Sequence, residues 1–173
     1  MASLDRFCDF MWTACTEWSL GYDQSNRWDV RDGGECDCSS LVITALQEAG
    51  FDTGDATYTG NMSDELCARG WERLEPNLDW AQRGDILLND IHHVCAVVDG
   101  DGWDSTIAQA SIDERGRASG GQSGDQANET NVKPIYWYRY GWDCILRYVG
   151  EDEDAERERR EREEAERRAA EEA

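Results

Sequence analysis

Positively charged side chains are scarce in this chain of 173 residues. Lysine and arginine together number 17 against 38 aspartates and glutamates, so the formal net charge is −21 at pH 7, and Lys133 is the single lysine. A surface of this sign repels the phosphate backbones of DNA and RNA. The composition therefore argues against nucleic acid as a partner.

Long apolar runs are also missing. No stretch approaches the roughly 18 to 20 apolar residues that a membrane-spanning helix needs, and the N-terminal segment lacks a charged start followed by an apolar stretch and a small-residue cleavage site. We therefore expect a soluble protein with no membrane partner, cytoplasmic until it is released. Without a classical signal, release requires another route or a leader outside this segment.

Seven cysteines are scattered along the chain, without the paired spacing of a zinc ribbon or finger. Four of them fall on apolar helical or strand-like patterns, which predicts small buried side chains in the reduced state. Those four are Cys8, Cys15, Cys95 and Cys144. Cys36 and Cys38 could pair or bind metal, but no second matched pair accompanies them. Nothing in the chain requires a cofactor.

Helical patterns characterise the N-terminal part of the chain. Ser3 can cap a first helix whose apolar positions repeat at three- and four-residue steps through about Trp18. The polar stretch from Gly21 to Glu35 is punctuated by glycine and is typical of a loop. We expect that loop to bring Tyr22 and Gln24 toward the helix that follows it.

Short β-favouring runs begin at residue 85, after a short helix predicted over residues 63–70. The runs are Asp85–Leu88, His93–Val98, Trp103–Ala110, Ile135–Tyr140 and Cys144–Val149. Asp99–Gly102 is a hairpin signal, and Glu114–Asn131 predicts a long loop. Helices followed by hairpin-linked strands predict an α+β fold with a mostly antiparallel sheet.

Eight tryptophans supply apolar area for one core. Four of them are expected in that core by default: Trp28, Trp71, Trp103 and Trp137.

The composition changes after Gly150 into glutamate, arginine and alanine. Opposite charges recur at helical spacing, as in Glu156 and Arg160, without an apolar stripe. This predicts a solvated helix, so we divide the chain into one domain over residues 1–150 and a charged helical tail or linker over 151–173. A further domain could follow the tail, and we expect a monomer.

Cys38 opens a short apolar helix pattern that Asp37 can cap and Gly50 can end. Unsatisfied N–H groups and the positive end of the helix dipole favour the thiolate there, and the thiolate is the nucleophilic form. A buried cysteine in the first turn of a helix is often structural, so both interpretations stand on position alone. Cys38 is therefore a candidate catalytic nucleophile.

Only two histidines occur, His92 and His93, and they open a predicted strand. Neighbours on a strand point to opposite faces, so one of them can face the Cys38 helix. A thiol nucleophile needs such a base to take its proton and later to protonate a leaving amine.

The order of these motifs resembles a known family over roughly residues 18–149. Asp37–Val42 looks like the Asp-Cys-Ser-Gly/Ser-Leu-Val motif of NlpC-type peptidoglycan hydrolases, papain-like cysteine peptidases and amidases related to CHAP domains that include bacteriophage lysins. Arg83–Ile86 and His93–Val98 are similar to the Gly-Asp-Leu/Ile and His-Val-x-x-Val segments of that family. The resemblance implies a papain-like arrangement with helices packed on a mostly antiparallel sheet and the catalytic cysteine at a helix N-terminus.

The resemblance also implies roles for individual residues. Ile107–Ala110 matches the pattern that holds the third member of the triad, which makes Gln109 the residue that orients His93. The Cys38 N–H would help to hold the oxyanion. Tyr22 is a second candidate for it, although the family's Trp-Gly-Gly is absent here. Three further side chains are candidates for substrate binding near the oxyanion: Asp37, Gln24 and Asp125, the last from a glycine-rich loop similar to one in some phage lysins.

The implied function is hydrolysis of an amide bond in bacterial peptidoglycan through a thioester on Cys38. The bond is either that between muramic acid and L-alanine or one within the peptide stem, after D-glutamate. Two other functions keep the same fold: a non-catalytic wall-binding or interaction domain, and a toxin or acyltransferase.

Overall fold

The computed structural model describes residues 1–111, 119, 124 and 128–172. Within them the chain forms four α-helices: α1 Leu4–Thr16, α2 Cys38–Glu48, α3 Thr59–Cys67 and α4 Glu153–Glu172. Nine strands accompany them: β1 Gly21–Tyr22, β2 Trp28–Asp29, β3 Glu35–Cys36, β4 Trp71–Leu74, β5 Ile86–Asn89, β6 His93–Asp99, β7 Thr106–Ala110, β8 Thr130–Pro134 and β9 Cys144–Tyr148. The predicted α+β class is confirmed.

A six-stranded antiparallel sheet forms the centre of the molecule, in the order β4-β9-β5-β6-β7-β8. Helices α1 and α2 pack on one face, where Phe7 and Leu41 join the core with Val94 and Ala108. Residues that alternate with these along the strands, such as Cys95, contribute to a second apolar cluster on the other face. Strands β1, β3 and β2 form a small second sheet, in which β1 runs parallel to β3. These strands come just before α2 in the sequence.

Local sequence signals explain the ends of the two packing helices. The Ser3 hydroxyl accepts a hydrogen bond from the N–H of Arg6, so Ser3 caps α1 as predicted. Asp37 caps α2 through a reciprocal pair of hydrogen bonds with Ser40. The chain leaves α2 at Gly50, whose φ of 89° is a left-handed conformation that glycine adopts without strain.

The predicted strand over Ile135–Tyr140 is wrong. The strand lies earlier, at β8, and reaches into the segment that was predicted as a loop. The N–H of Ile135 makes the last hydrogen bond to the neighbouring chain, with the carbonyl of Ser105 at 2.9 Å. Ile135 joins the second apolar cluster, and Tyr138 and Trp142 pack on the ring of His93 instead of pairing in a strand.

Other boundaries differ in smaller ways. The loop expected over residues 21–35 contains the short strands of the small sheet. Each strand has two residues, which is too short to produce a hydrophobic periodicity in the sequence. β4 was not anticipated, and α3 begins at Thr59 rather than at Ser63. Residues Gly102–Asp104 form a 3₁₀ turn, so the strand after the predicted hairpin starts at Thr106.

The seven cysteines all lie among the described residues and form no disulfides, and six of them, including the four predicted core cysteines, are buried. Of the four tryptophans expected in the core, Trp71 is buried, whereas Trp28, Trp103 and Trp137 are about half exposed. That expectation is wrong for these three because their amphipathic rings lie on loops and edges at the surface. None of the helices in the described part of the chain is long and apolar enough to cross a membrane.

The charged tail is helical, as its charge spacing predicts, and its first turn binds the start of α1. Asp152 is buried, and its carboxylate accepts hydrogen bonds from the N–H groups of Leu4 and Ala155, at 2.7 and 3.0 Å. Asp154 accepts from the Ser3 hydroxyl at 2.8 Å and from the N–H of Asp5 at 3.0 Å. These carboxylates satisfy N–H groups that α1 leaves open at its N-terminus. The division between residues 1–150 and 151–173 stays a prediction.

Asp152→Ala is therefore expected to destabilise the whole fold. Removing the carboxylate leaves helix-terminal N–H groups without their acceptor, which costs about 1–2 kcal/mol in the free energy of unfolding. The matched control is Glu166→Ala, on the exposed part of the same helix, with an expected change below about 0.5 kcal/mol. Denaturant unfolding measures both, and equal effects would contradict a structural role for the first turn of α4.

Candidate active site

Cys38 is the first residue of α2 and is buried, with 7% of its surface exposed. The cap at Asp37 and the pairing of β3 with its neighbours fix the backbone on which the thiol is carried. The backbone N–H groups of Val94 and Ser39 lie near the thiol and act to lower its pKa. Since Val94 follows His93 in β6, the sulfur lies at the start of the strand that carries the imidazole.

His93 and Gln109 meet inside the protein. Nε2 of His93 and Oε1 of Gln109 are 2.8 Å apart, and the two residues are 6% and 5% exposed. Strands β6 and β7 are antiparallel neighbours, and this pairing brings the two side chains together. A carbonyl oxygen can only accept a hydrogen bond, so the ring hydrogen lies on Nε2 and Nδ1 keeps its lone pair.

The turn before His93 is shaped by a buried asparagine. Asn89 accepts hydrogen bonds through Oδ1 from the N–H groups of Ile91 and His92, at 3.1 and 3.0 Å. Its Nδ2 donates to the carbonyl of Gly141 at 2.7 Å. The side chain therefore ties the β5–β6 turn to the segment after β8, and it places His93 rather than His92 toward Gln109.

Burial controls the protonation of both groups. Burial, reinforced by the Asp37 carboxylate, raises the pKa of the Cys38 thiol to about 12, although the N–H groups and Arg27 act in the opposite direction. Burial also lowers the pKa of His93 below its ordinary value of 6.5, with Lys133 adding to this effect. Burial therefore opposes the thiolate that the helix start is expected to favour, and it favours a neutral thiol beside a neutral imidazole.

Tyr22 lies close to this pair. It is buried on β1, opposite Cys36 in the parallel pairing with β3. Its pKa is raised by burial and then by the charge of Cys38, which indicates that the hydroxyl and the thiol are near one another. Gln24 is exposed, and its Nε2 donates to the Tyr22 hydroxyl at 3.1 Å. A hydroxyl that accepts this bond keeps its own proton for another acceptor.

Asp37 is adjacent to the thiol, but its carboxylate is bonded within the protein. Oδ1 accepts from the N–H of Ser40 at 2.8 Å, and Oδ2 accepts from Nε of Arg27 at 2.7 Å. Arg27 also donates to the Ser39 hydroxyl and to the carbonyl of Thr57. Asp37 thus holds the helix start in place.

Several aromatic side chains that sequence reasoning did not assign to the site surround the imidazole. The ring centroids of Tyr138 and Trp142 lie 5.2 and 5.8 Å from that of His93. The Tyr136 hydroxyl donates to Oε1 of Gln109 at 2.7 Å. The run of aromatic residues after Pro134 was the sequence signal that could have assigned these residues to the site, but it was interpreted as a strand.

The glycine-rich loop reaches the same neighbourhood at one described position. The N–H of Gly124 donates to the carbonyl of Gly34 at 3.0 Å, just before β3. Asp125, a predicted substrate-binding residue, lies outside the described residues, and its role stays a prediction. Over the described part of the chain, no three His, Cys, Asp or Glu side chains are grouped as metal ligands would be.

The candidate site of this α+β protein is made of three groups. They are a buried thiol at a helix start, an imidazole at a strand start and a carboxamide on the next strand. A family model described as Endolysin-like domain matches residues 4–103 and 107–166. The chain belongs to this endolysin-like family, of the phage endolysin type, and membership indicates a cell-wall lytic function and a hydrolase of peptidoglycan. No curated protein matches the chain.

The neutral thiol predicts a distinctive pH dependence of alkylation. In a Cys67→Ala variant, which removes the exposed thiol, the rate of Cys38 alkylation by iodoacetamide should rise about tenfold per pH unit from about pH 6 to about pH 9, because only the thiolate reacts. The Cys38→Ala, Cys67→Ala double variant gives the background rate. A rate that has already reached a plateau near about pH 6 would instead indicate a preformed thiolate–imidazolium pair.

Proposed function

We propose that the protein is a cysteine-dependent peptidoglycan hydrolase that cleaves an amide bond of the cell-wall peptide stem through a thioester on Cys38. Family membership supports peptidoglycan as the substrate. The observation that carries the cysteine mechanism is the 2.8 Å hydrogen bond from His93 to Gln109, made beside Val94, whose N–H lies near the Cys38 thiol and acts to lower its pKa. A thiol on a helix start and an imidazole on the adjoining sheet support a papain-like arrangement.

The first half of the reaction forms the thioester. Nδ1 of His93 takes the thiol proton as Sγ of Cys38 attacks the carbonyl carbon of the amide, and the C–O π electrons move onto the oxygen. The imidazolium then gives its proton to the departing amine nitrogen as the C–N bond breaks. The products of this half are the free amine and an acyl group on Cys38.

The second half restores the enzyme. Nδ1 of His93 takes a proton from a water molecule, whose oxygen attacks the thioester carbon. The tetrahedral intermediate collapses, the C–S bond breaks, and the imidazolium returns its proton to the sulfur. The carboxylic acid leaves, so one water is consumed for each amide cleaved.

Two donors are placed to stabilise the oxyanion formed in each half. The N–H of Cys38 lies at the N-terminus of α2, where the helix leaves N–H groups unbonded. The Tyr22 hydroxyl is the second donor, held by Gln24. Gln109 carries no charge, so it orients the imidazole rather than neutralising an imidazolium.

Recognition of the substrate depends on local chemistry, since a net charge of −21 does not attract anionic wall polymers. Lys133 and Arg139 are exposed cations near the site, and they lie 4.4 and 4.8 Å from the ring centroids of Tyr136 and Tyr140. They suit the carboxylates of a peptide stem. The scissile bond joins muramic acid to L-alanine or follows D-glutamate within the stem.

Cys38→Ala should abolish clearing of purified cell walls while the fold remains intact, because the variant has no nucleophile. We expect a loss of at least about a thousandfold in rate. Cys67→Ala, at an exposed free cysteine, is the matched control and should retain activity. Turbidity loss measures both, and wall clearing by the Cys38→Ala protein would overturn the assignment of the nucleophile.

Mass spectrometry of the digested walls identifies the bond. A new amino terminus on L-alanine indicates an amidase, and one on the third stem residue indicates an endopeptidase. If no product is released from several types of wall while binding to them persists, the protein is a wall-binding domain and the hydrolase proposal fails.

A further inference from the structure

A carboxamide presents two different faces to its neighbour. Its oxygen accepts hydrogen bonds and its nitrogen donates them. Turning the group over exchanges these two atoms with almost no change in its shape. If the nitrogen of Gln109 pointed at His93, Nε2 would have to accept and the ring hydrogen would lie on Nδ1. An imidazole in that tautomer could not take a proton on Nδ1. The orientation of one amide therefore decides whether His93 is a base toward the thiol.

Two contacts hold the Gln109 amide, and the one with Asn131 distinguishes its oxygen from its nitrogen because the Tyr136 hydroxyl can donate or accept. The Tyr136 hydroxyl donates to Oε1 at 2.7 Å, and Nε2 donates to Oδ1 of Asn131 at 3.3 Å. Gln109 and Asn131 face each other in the antiparallel pairing of β7 with β8. The amide of Gln109 is buried, so protein groups rather than bulk water determine which way it points.

The orientation of Asn131 is fixed in turn by a backbone group. Its Nδ2 donates to the main-chain carbonyl of Asn128 at 3.1 Å. A main-chain carbonyl can only accept, so it requires the nitrogen of Asn131 and leaves Oδ1 for Gln109. Asn128 has a φ of 61°, a left-handed conformation that asparagine tolerates better than most residues.

We propose that Tyr136 and Asn131 are positioning residues that hold the Gln109 oxygen toward His93 and thereby select the Nε2–H tautomer. The carbonyl of Asn128 fixes the orientation of Asn131, and Asn131 fixes that of Gln109. Gln109 in turn fixes the tautomer of His93. Turning the Gln109 amide would place its oxygen against Oδ1 of Asn131. Turning Asn131 as well would place that oxygen against the carbonyl of Asn128. Each of these alternatives places two hydrogen-bond acceptors against one another.

The tautomer can be observed without any substrate. In ¹⁵N NMR spectra the protonated and bare nitrogens of a neutral imidazole resonate far apart, and His92→Gln assigns the signals because the chain has only two histidines. We expect the intact protein above about pH 7.5, where the imidazole is neutral, to hold His93 as Nε2–H. The Tyr136→Phe, Asn131→Leu double variant should contain a substantial Nδ1–H fraction.

Two further variants separate selection of the tautomer from simple packing. Tyr140→Phe removes a hydroxyl from a ring that packs on His92, and it should leave the His93 tautomer unchanged. In a Gln109→Glu background, either carboxylate oxygen can accept from Nε2–H, so Tyr136→Phe and Asn131→Leu should no longer alter the tautomer. A packing role for Tyr136 and Asn131 predicts no such rescue.

The effect on rate rests on the proposed function, whereas the NMR result does not. The Tyr136→Phe, Asn131→Leu double variant should lower kcat in proportion to its Nδ1–H fraction and leave KM nearly unchanged, because those molecules lose their general base. If the double variant retains the tautomer ratio of the unmodified protein, the positioning proposal is wrong even where hydrolysis is observed. If the tautomer shifts as expected but the unmodified protein cleaves no wall, the proposal holds and the hydrolase function fails.

Discussion

The hydrogen bond between His93 and Gln109 is the contact on which the proposed chemistry depends. It joins two side chains whose strands are neighbours in an antiparallel sheet, so its geometry is a consequence of strand register. A shift of one residue would move Gln109 to the opposite face of the sheet and leave the imidazole without its acceptor. The pairing of β7 with β8 then supplies Asn131, which holds the amide from its other end.

Burial around this contact sets the electrostatics of the site. The same exclusion of water that raises the pKa of the thiol lowers that of the imidazole, so both start neutral. A neutral pair moves its proton during the attack on the substrate, and the N–H groups around the sulfur stabilise the anion that develops. The helix start contributes its N–H groups at this stage, whereas burial opposes a thiolate in the resting protein.

The core elements were predictable from the sequence because their signals are local. Capping by Ser3 and Asp37, the apolar spacing of α2 and the strand pattern after His93 each arise within a few residues, and the structure has these elements where the patterns indicate them. The motif order also pointed to Cys38, His93 and Gln109. The structure joins His93 to Gln109 and brings the N–H of Val94 near the Cys38 thiol, and the catalytic roles of the three stay a prediction.

The surroundings of the site were not predictable in the same way. Tyr136 was assigned to a strand because its neighbours favour β structure, but Ile135 enters the second apolar cluster and the aromatic rings after it pack on His93 instead. The pKa of Cys38 depends on burial, which a pattern of residues does not measure. Asn131 gains its role only from register with Gln109, and register between distant segments is set by the whole sheet.

The central claim is that Cys38 carries the acyl group during turnover. Rapid acid quenching of a reaction with soluble muropeptides, followed by mass spectrometry of the protein and its peptides, tests it directly. The account predicts a mass increase equal to the acyl part of the substrate on the peptide that contains Cys38, absent after hydroxylamine treatment. An acyl group mapped to any other residue, or hydrolysis by the Cys38→Ala protein, would contradict it.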